Sequence, residues 1–190
     1  MATSLVPGRV CGECNVCCSY YEITDPMLQK PKDTLCPMWQ GGCTIHAIRP
    51  KTCREFFCLW RRTPSLDDGW RPDRLGVVIH ETQAAIPAHF VQRVGLIFDI
   101  CGAPEVIGDE RLVLAIADQI HQGVPVFLRI VGAPGHEGAF AFLNDRMAQA
   151  VARRDRDALR AALREALADI EARSRAGAAQ ADIVRAQLRP

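Results

Sequence analysis

The chain has 190 residues, 48% of them hydrophobic, and its 23 Lys plus Arg stand against 22 Asp plus Glu for a net charge of +1 at pH 7. That length and apolar content allow one sizeable core and exclude a disordered chain. The near-neutral balance excludes a global pull toward nucleic acid or an anionic membrane, so either partner would need a local basic patch.

In chain order, the N-terminal MATSLVPGRV has no basic stretch followed by an apolar one and breaks at Pro7-Gly8, unlike a secretory signal. No apolar run approaches the roughly 20 residues that span a bilayer. A cytoplasmic, reducing setting is therefore the expectation, and there a dense group of cysteines points to metal ligands before disulfides. Eight of the nine cysteines are Cys11, Cys14, Cys17, Cys18, Cys36, Cys43, Cys53 and Cys58, while Cys101 stands apart. In C-x2-C the two intervening residues let the chain turn so that both sulfurs face one point, as a tetrahedral ion with Zn–S near ~2.3 Å requires. The adjacent pair Cys17-Cys18 is harder to place, because neighbouring side chains diverge in helical or extended backbone. Either one of the two is a bystander, or they belong to different sites and the eight cysteines form two interleaved sets of four.

Charge agrees with thiolate ligands. Residues 1–62 carry 8 Lys plus Arg and 5 Asp plus Glu, a surplus of three. Two divalent ions on eight thiolates would add four negative charges and bring the segment near neutrality; a single four-cysteine site suits nearly as well. Arg49 and Arg54, close in sequence to Cys53, read either as N–H donors to its sulfur or as surface ion pairs.

The stretch CGECNVCC followed by CPMWQGGCTIHAIRPKTCREFFC resembles the CxxCxxCC family of zinc- or iron-chelating domains, the YkgJ-like cysteine-cluster proteins. The likeness rests on the eight cysteines with Arg49-Pro50 and Arg54, where the family reads approximately C-x-I-[YH]-x-x-R-P-x-x-C-R-x-F, and covers about residues 8–62. It implies metal chelation by those eight cysteines and no particular biochemical role. His46 falls where the family also takes Tyr, which implies aromatic packing; its alternative use is as the nitrogen of a Cys3His site. Zinc is the expected metal. Iron or an iron–sulfur cluster is the alternative, since C-x2-C-x2-C also opens bacterial ferredoxins and Cys36 is followed by Pro37, although their next cysteine comes after three residues and not seventeen.

Trp39, Phe56-Phe57 and Leu59-Trp60 are expected to dock this module, residues 8–62, on the remainder. Residues 63–74, TPSLDDGWRPDR, read as a linker or loop. Residues 75–138 read as the strands and one helix of a small α+β body: strands over 74–80, 90–101 and 124–131, and a helix over 110–122 with Leu112, Ile116 and Ile120 on one face and Gly123 as its stop. LIFDICGAP and VFLRIVGAP echo each other as strand followed by turn. Residues 139–175 read as C-terminal helices broken near 154–157, with Leu159, Leu163, Leu167 and Ile170 as an apolar stripe facing the sheet or a second copy of the chain. Residues 176–190 read as a frayed tail.

No catalytic constellation is legible. His80-Glu81, His89 and His136-Glu137 lack H-E-x-x-H spacing, and the glycines of 132–138 lack the Lys-Ser/Thr of a phosphate loop. His80 reads as structural and Cys101 as core. Three functions follow: a metal-binding protein whose structural zinc supports partner or ligand binding, an iron–sulfur redox carrier or enzyme, or a zinc-module nucleic-acid binder using Arg49, Arg54, Arg61 and Arg62. The last is disfavoured by the lack of interleaved aromatic residues.

Overall fold

The cysteine-rich N-terminal third holds its shape with little regular structure. Its elements are a short helix α1 (Val16–Tyr20), a hairpin of β1 (Ile23–Asp25) and β2 (Leu28–Lys30), and two further short helices, α2 (Lys51–Glu55) and α3 (Leu59–Arg62). Asp25 tightens the hairpin turn by accepting the Met27 N–H at 2.9 Å, the usual use of an Asp side chain there. Only Ile23, Leu28 and Cys36 are fully buried in the local apolar cluster, with Trp39 and Ile45 packed against them. The computed structural model of the chain describes residues 5–131 and 138–187, with side chains described as far as Gly177; His136-Glu137 and most of the 132–138 glycine stretch lie outside them.

The stretch expected to be a linker is ordered. Asp67 caps a 3-10 turn at Asp68–Trp70 by accepting the Gly69 N–H, and Pro72 opens the one-turn helix α4 (Pro72–Leu75). Leu66 and Trp70 pack beside Cys58 and Trp60, so residues 63–74 tie the module to the body.

The body is a four-stranded sheet in the order β3 (Val77–Thr82), β4 (Gly95–Ile100), β5 (Val126–Ile130), β6 (Ala139–Phe142). The outer pairs are antiparallel; β4 and β5 are parallel and joined through helix α5 (Glu110–His121), which Asp109 caps. An α+β fold is thus present as expected, with three boundaries moved. β3 starts after Gly76, whose φ of +76° ends α4. A Cβ on Gly102 would meet Gly76 Cα at 3.0 Å, so these two glycines let the ends of β3 and β4 touch. β4 starts at Gly95 because residues 90–94 lie off the sheet, with Val91 96% exposed. Residues 139–142, expected to be helical, form β6 because β5 offers them an open edge, a tertiary effect that outweighs local propensity. The echo noted in the sequence is a register: LIFDI lies beside VFLRI residue for residue, from Leu96↔Val126 to Ile100↔Ile130.

One sheet face carries Val77, Ile79, Leu96, Phe98, Ile100, Val126 and Leu128 into the main core, against α5, α6 (Asn144–Arg153) and α7 (Arg156–Gln187). The helices break at Arg154, at φ +53°, as the sequence suggests, but α7 continues past residue 175 to Gln187. Leu159, Leu163, Leu167 and Ile170 are all buried in this core, so that stripe is used within the chain and is not available to a second copy. Among the described residues no helix is long and apolar enough to cross a membrane.

Asn144 joins α6 to the sheet. It is buried, its Oδ1 accepts the Val126 N–H at 2.8 Å and its Nδ2 donates to the Val124 carbonyl at 2.8 Å. Asn144→Ala leaves both backbone groups without a partner and is expected to cost about 2–3 kcal/mol in urea unfolding; a loss below about 0.5 kcal/mol, the range of ordinary surface substitutions, would contradict this role.

Candidate metal centre

The second face of the sheet carries the module. Val78 and Cys101 pack against Cys58 and Trp60, with Tyr20, Tyr21 and Phe56 around them. The Tyr20 hydroxyl donates to the Cys101 carbonyl, the Tyr21 hydroxyl donates to Asp99, and Arg62 pairs with Glu81 at 2.8 Å. Between module and sheet lies a cavity of about 320 Å3, walled by Cys11, Cys14, Cys17, Cys18, Cys36, Cys43 and Cys53. Seven of the eight expected ligands thus share one cavity, and Cys58 is buried behind it in the docking cluster.

The thiols divide by the neighbours whose charge they feel. Burial pushes Cys14 up to about 11, with the charge of Asp73 and then that of Cys58 adding to it. Burial likewise raises Cys58, helped by Cys11. Cys17 is raised by its hydrogen bond with Cys18, by burial, and by the charges of Cys18, Cys11 and Cys58. On the other side, burial and the charges of Cys18, Cys36 and Cys43 raise Cys53. Cys36 N–H donates to the Cys18 carbonyl at 3.0 Å, and Cys43 bridges to Trp39. Cys17 and Cys58 thus feel Cys11, and Cys53 feels Cys18, Cys36 and Cys43. On α1, Cys18 is lowered to about 7 because Cys17 donates to it. Cys17 and Cys18 thus act on each other although they are adjacent on α1.

Two cations are buried in the module, and neither stood out in the sequence as a candidate for this role. Arg61, 7% exposed, donates from Nη1 to Cys11 Sγ at 3.2 Å and leaves Nε buried without a partner. Lys30, 3% exposed, donates to the carbonyls of Ser19, Pro31 and Thr34, and the charges of Cys36, Cys18 and Cys53 oppose the lowering that burial imposes on it. A buried cation beside neutral thiols is costly, whereas beside thiolates it is compensated. The donor set, thiolate sulfurs with buried N–H groups around them, suits a thiophilic metal. In the geometry shown, no three or more His, Cys, Asp or Glu side chains among the described residues converge closely enough to hold an ion.

Other sequence candidates fall as follows. Arg49 donates to the Cys53 carbonyl and to His46, not to a sulfur, and Arg54 is exposed. His46 is exposed at the cavity wall, with its Nε2 2.7 Å from Arg49, so it does not play the packing role implied by the resemblance. With Arg61 turned inward, Arg49 bound within its own loop and Arg62 paired to Glu81, the four arginines form no single exposed basic patch. Cys101 is core, its thiol pushed up to about 12 by burial and by Asp99.

His80 is more than a strand-end histidine. On the module-facing side, β4 and β5 place Asp99 beside Arg129. Asp99 is fully buried and accepts from Tyr21, from Arg129 Nε and Nη2, and from His80 Nε2 at 3.0 Å. Burial pushes its carboxyl up, but the hydrogen bonds and charges of His80 and Arg129 outweigh this and hold it below the usual range. Tyr21 is raised far above an ordinary phenol, by burial and then by Asp99, and stays a neutral donor. This tetrad spans residues 21 to 129, beyond the reach of any local pattern.

Comparison with protein-family models, with curated proteins and with solved structures finds no match for this chain. The metal reading therefore rests on the chain's own residues.

Because Asp99 is lowered in the folded chain, its stabilisation is present above the unfolded value near ~3.9 and is lost as pH falls through the folded one. Asp99→Asn is expected to cost about 3–5 kcal/mol at pH 7, the usual loss when one member of a buried ion pair is removed. Urea unfolding of both proteins from pH 7 down to pH 3 should show the gap narrowing below pH 4; a gap constant with pH would contradict it.

Proposed function

We propose that the chain is a metal-chelating cysteine-cluster protein, as the CxxCxxCC resemblance implies, and that its module, residues 8–62, holds two ions, one on a quartet of Cys11, Cys14, Cys17 and Cys58 and one on a quartet of Cys18, Cys36, Cys43 and Cys53. The observation that carries this reading is the gathering of Cys11, Cys14, Cys17, Cys18, Cys36, Cys43 and Cys53 around one cavity, with Cys58 buried in the docking cluster and with Arg61 and Lys30 buried in the same module. Zinc is the metal proposed first: four thiolates per ion form a closed structural site. A structural zinc contributes about 10–16 kcal/mol of apparent binding free energy in small domains, enough to fold a segment with so little ladder bonding and apolar core. In this reading the module is a metal-stapled cover on the second face of the sheet, in a reducing compartment that keeps its thiols free.

An iron–sulfur centre is the second reading. It is favoured by the room among the sulfurs and by two buried N–H groups on residues lining the cavity, Arg61 Nε and Trp39 Nε1, that have no partner. Donors of this kind hydrogen-bond to cluster sulfurs and set their potentials.

Anaerobic purification followed by elemental analysis and a visible spectrum separates the two. A colourless protein with two zinc ions per chain supports the first reading, and a brown one with iron and acid-labile sulfide supports the second. A chain free of both metals after purification, and unable to take up either, would overturn the proposal. Hydrogen exchange after strong chelation should lose protection across residues 11–60 while the sheet and long helices keep theirs; unchanged protection in the module would count against metal stapling.

A further inference from the structure

Helix α1 carries more of the site than its length can support. Its five residues, Val16–Tyr20, include Cys17 and Cys18; none of the five is fully buried, and no side chain caps the N-terminus. Such a helix makes about one and a half turns, too few to hold an orientation alone. The direction in which the two sulfurs point is therefore set by what grips the helix from outside.

One attachment is local. The carbonyls of Cys18, Ser19 and Tyr20 accept from the N–H groups of Cys36, Thr34 and Asp33 at 3.0, 3.0 and 3.3 Å, and Lys30 Nζ adds a second donor to Ser19 at 2.8 Å. These bonds tie α1 to β2 and the loop after it, which belong to the same module. The other attachment reaches the sheet, where the Tyr20 hydroxyl donates to the Cys101 carbonyl and the Tyr21 hydroxyl to Asp99.

The second of these tyrosines is held far more closely than docking requires. Arg129 lies over its ring, 5.9 Å from the centroid, and also hydrogen-bonds its side chain. Phe56 and His80 pack on the same ring with centroids 5.0 and 6.2 Å away. The acceptor, Asp99, is itself fixed by His80 and Arg129, so three strands contribute to the grip on one hydroxyl. Joining the two layers would need only one hydrogen bond to a neutral group. A buried carboxylate held by arginine and histidine stabilises little beyond apolar packing of the same volume, and its best-attested use is to fix one register among several. A charged acceptor also makes the shorter and stronger bond. What it fixes here is the ring three residues after Cys18.

We propose that Tyr21, clamped by Asp99 and Arg129, is a positioning residue of the metal centre: it sets the angle at which α1 presents Cys17 and Cys18 to their ions. This role rests on the metal reading. Linkage makes it reciprocal, because a bond that favours the metal-loaded cysteine geometry is itself favoured by bound metal, by the same factor. Sheet and metal then stabilise each other although the tetrad contains no ligand.

The test uses the full chain produced with cadmium-113, a thiophilic ion whose NMR resonance reports the sulfur geometry around it. Tyr21→Phe keeps the ring and removes only the hydroxyl. In this variant the cadmium resonances are expected to shift, and the affinity read by chelator competition to fall by about tenfold, the lower end of the usual effect of groups that orient ligands. Asn144→Ala, which acts from the helix-covered side of the sheet, should leave the resonances in place and the affinity unchanged. If Tyr21→Phe does not fold, Arg129→Lys, which keeps a charge beside Asp99 and loses the planar contact with Tyr21, should shift the same resonances. Unmoved resonances with undiminished affinity in these variants, or equal changes in Asn144→Ala, would overturn this role and leave the metal reading in place. A parent chain that takes up no cadmium would overturn the metal reading, and this role with it.

Discussion

Eight thiols, seven of them around one small cavity and Cys58 in the adjoining cluster, repel one another as soon as more than a few ionise, and the shape of the N-terminal third depends on what relieves that repulsion. Burial and the neighbouring sulfurs together raise Cys14, Cys17, Cys53 and Cys58. Lys30 and Arg61 supply two positive charges from inside the module. Two buried charges offset only part of what eight thiolates would carry, and two divalent ions would offset four charges more. The short helices and the hairpin then make sense as connectors: they bring sulfurs 11 to 58 residues into the chain to one place, and need not be stable alone.

The sheet gives this module a floor. Its α-facing side is an ordinary apolar core, sealed by α5, α6 and α7. Its other side is divided: Val78 and Cys101 take the apolar contacts of the module, and the neighbouring positions on β4 and β5 carry Asp99 and Arg129. The parallel register of two similar strands is what sets an acid beside a base there. Tyr21, three residues after Cys18, ties that charged pair to the cysteine loop, so the state of the module and the order of the tetrad are mechanically linked.

Much of this was legible in the sequence where it is local, and little where it is not. C-x2-C spacing is a short-range property, so the cysteine-rich stretch could be read directly; that seven of its eight cysteines would line one cavity, with Cys58 outside it, could not. The helix at Glu110–His121 announces itself by period and cap, and the echo of LIFDI and VFLRI was visible, although not its meaning as neighbouring strands. Residues 139–142 were misleading because a strand at a sheet edge is decided by its partner, and residues 63–74 because turn-forming residues mark a bend without saying whether it is packed. Lys30 gave no signal, since a buried lysine on three carbonyls looks, in sequence, like any surface lysine, and Arg61 showed only as one of a group of arginines. The His80–Asp99–Arg129 group was equally hidden, its members lying 19 and 30 residues apart on three strands.

The division into two quartets is tested most directly by the metal count, in native mass spectrometry, of Cys17→Ser and Cys18→Ser beside the parent chain. The account predicts two ions in the parent and one in each variant. The ion kept by Cys17→Ser should survive a further Cys58→Ser change but not Cys53→Ser, and the ion kept by Cys18→Ser should show the reverse. Two ions retained in either single variant, or loss of the same ion in both, would contradict the division at Cys17 and Cys18.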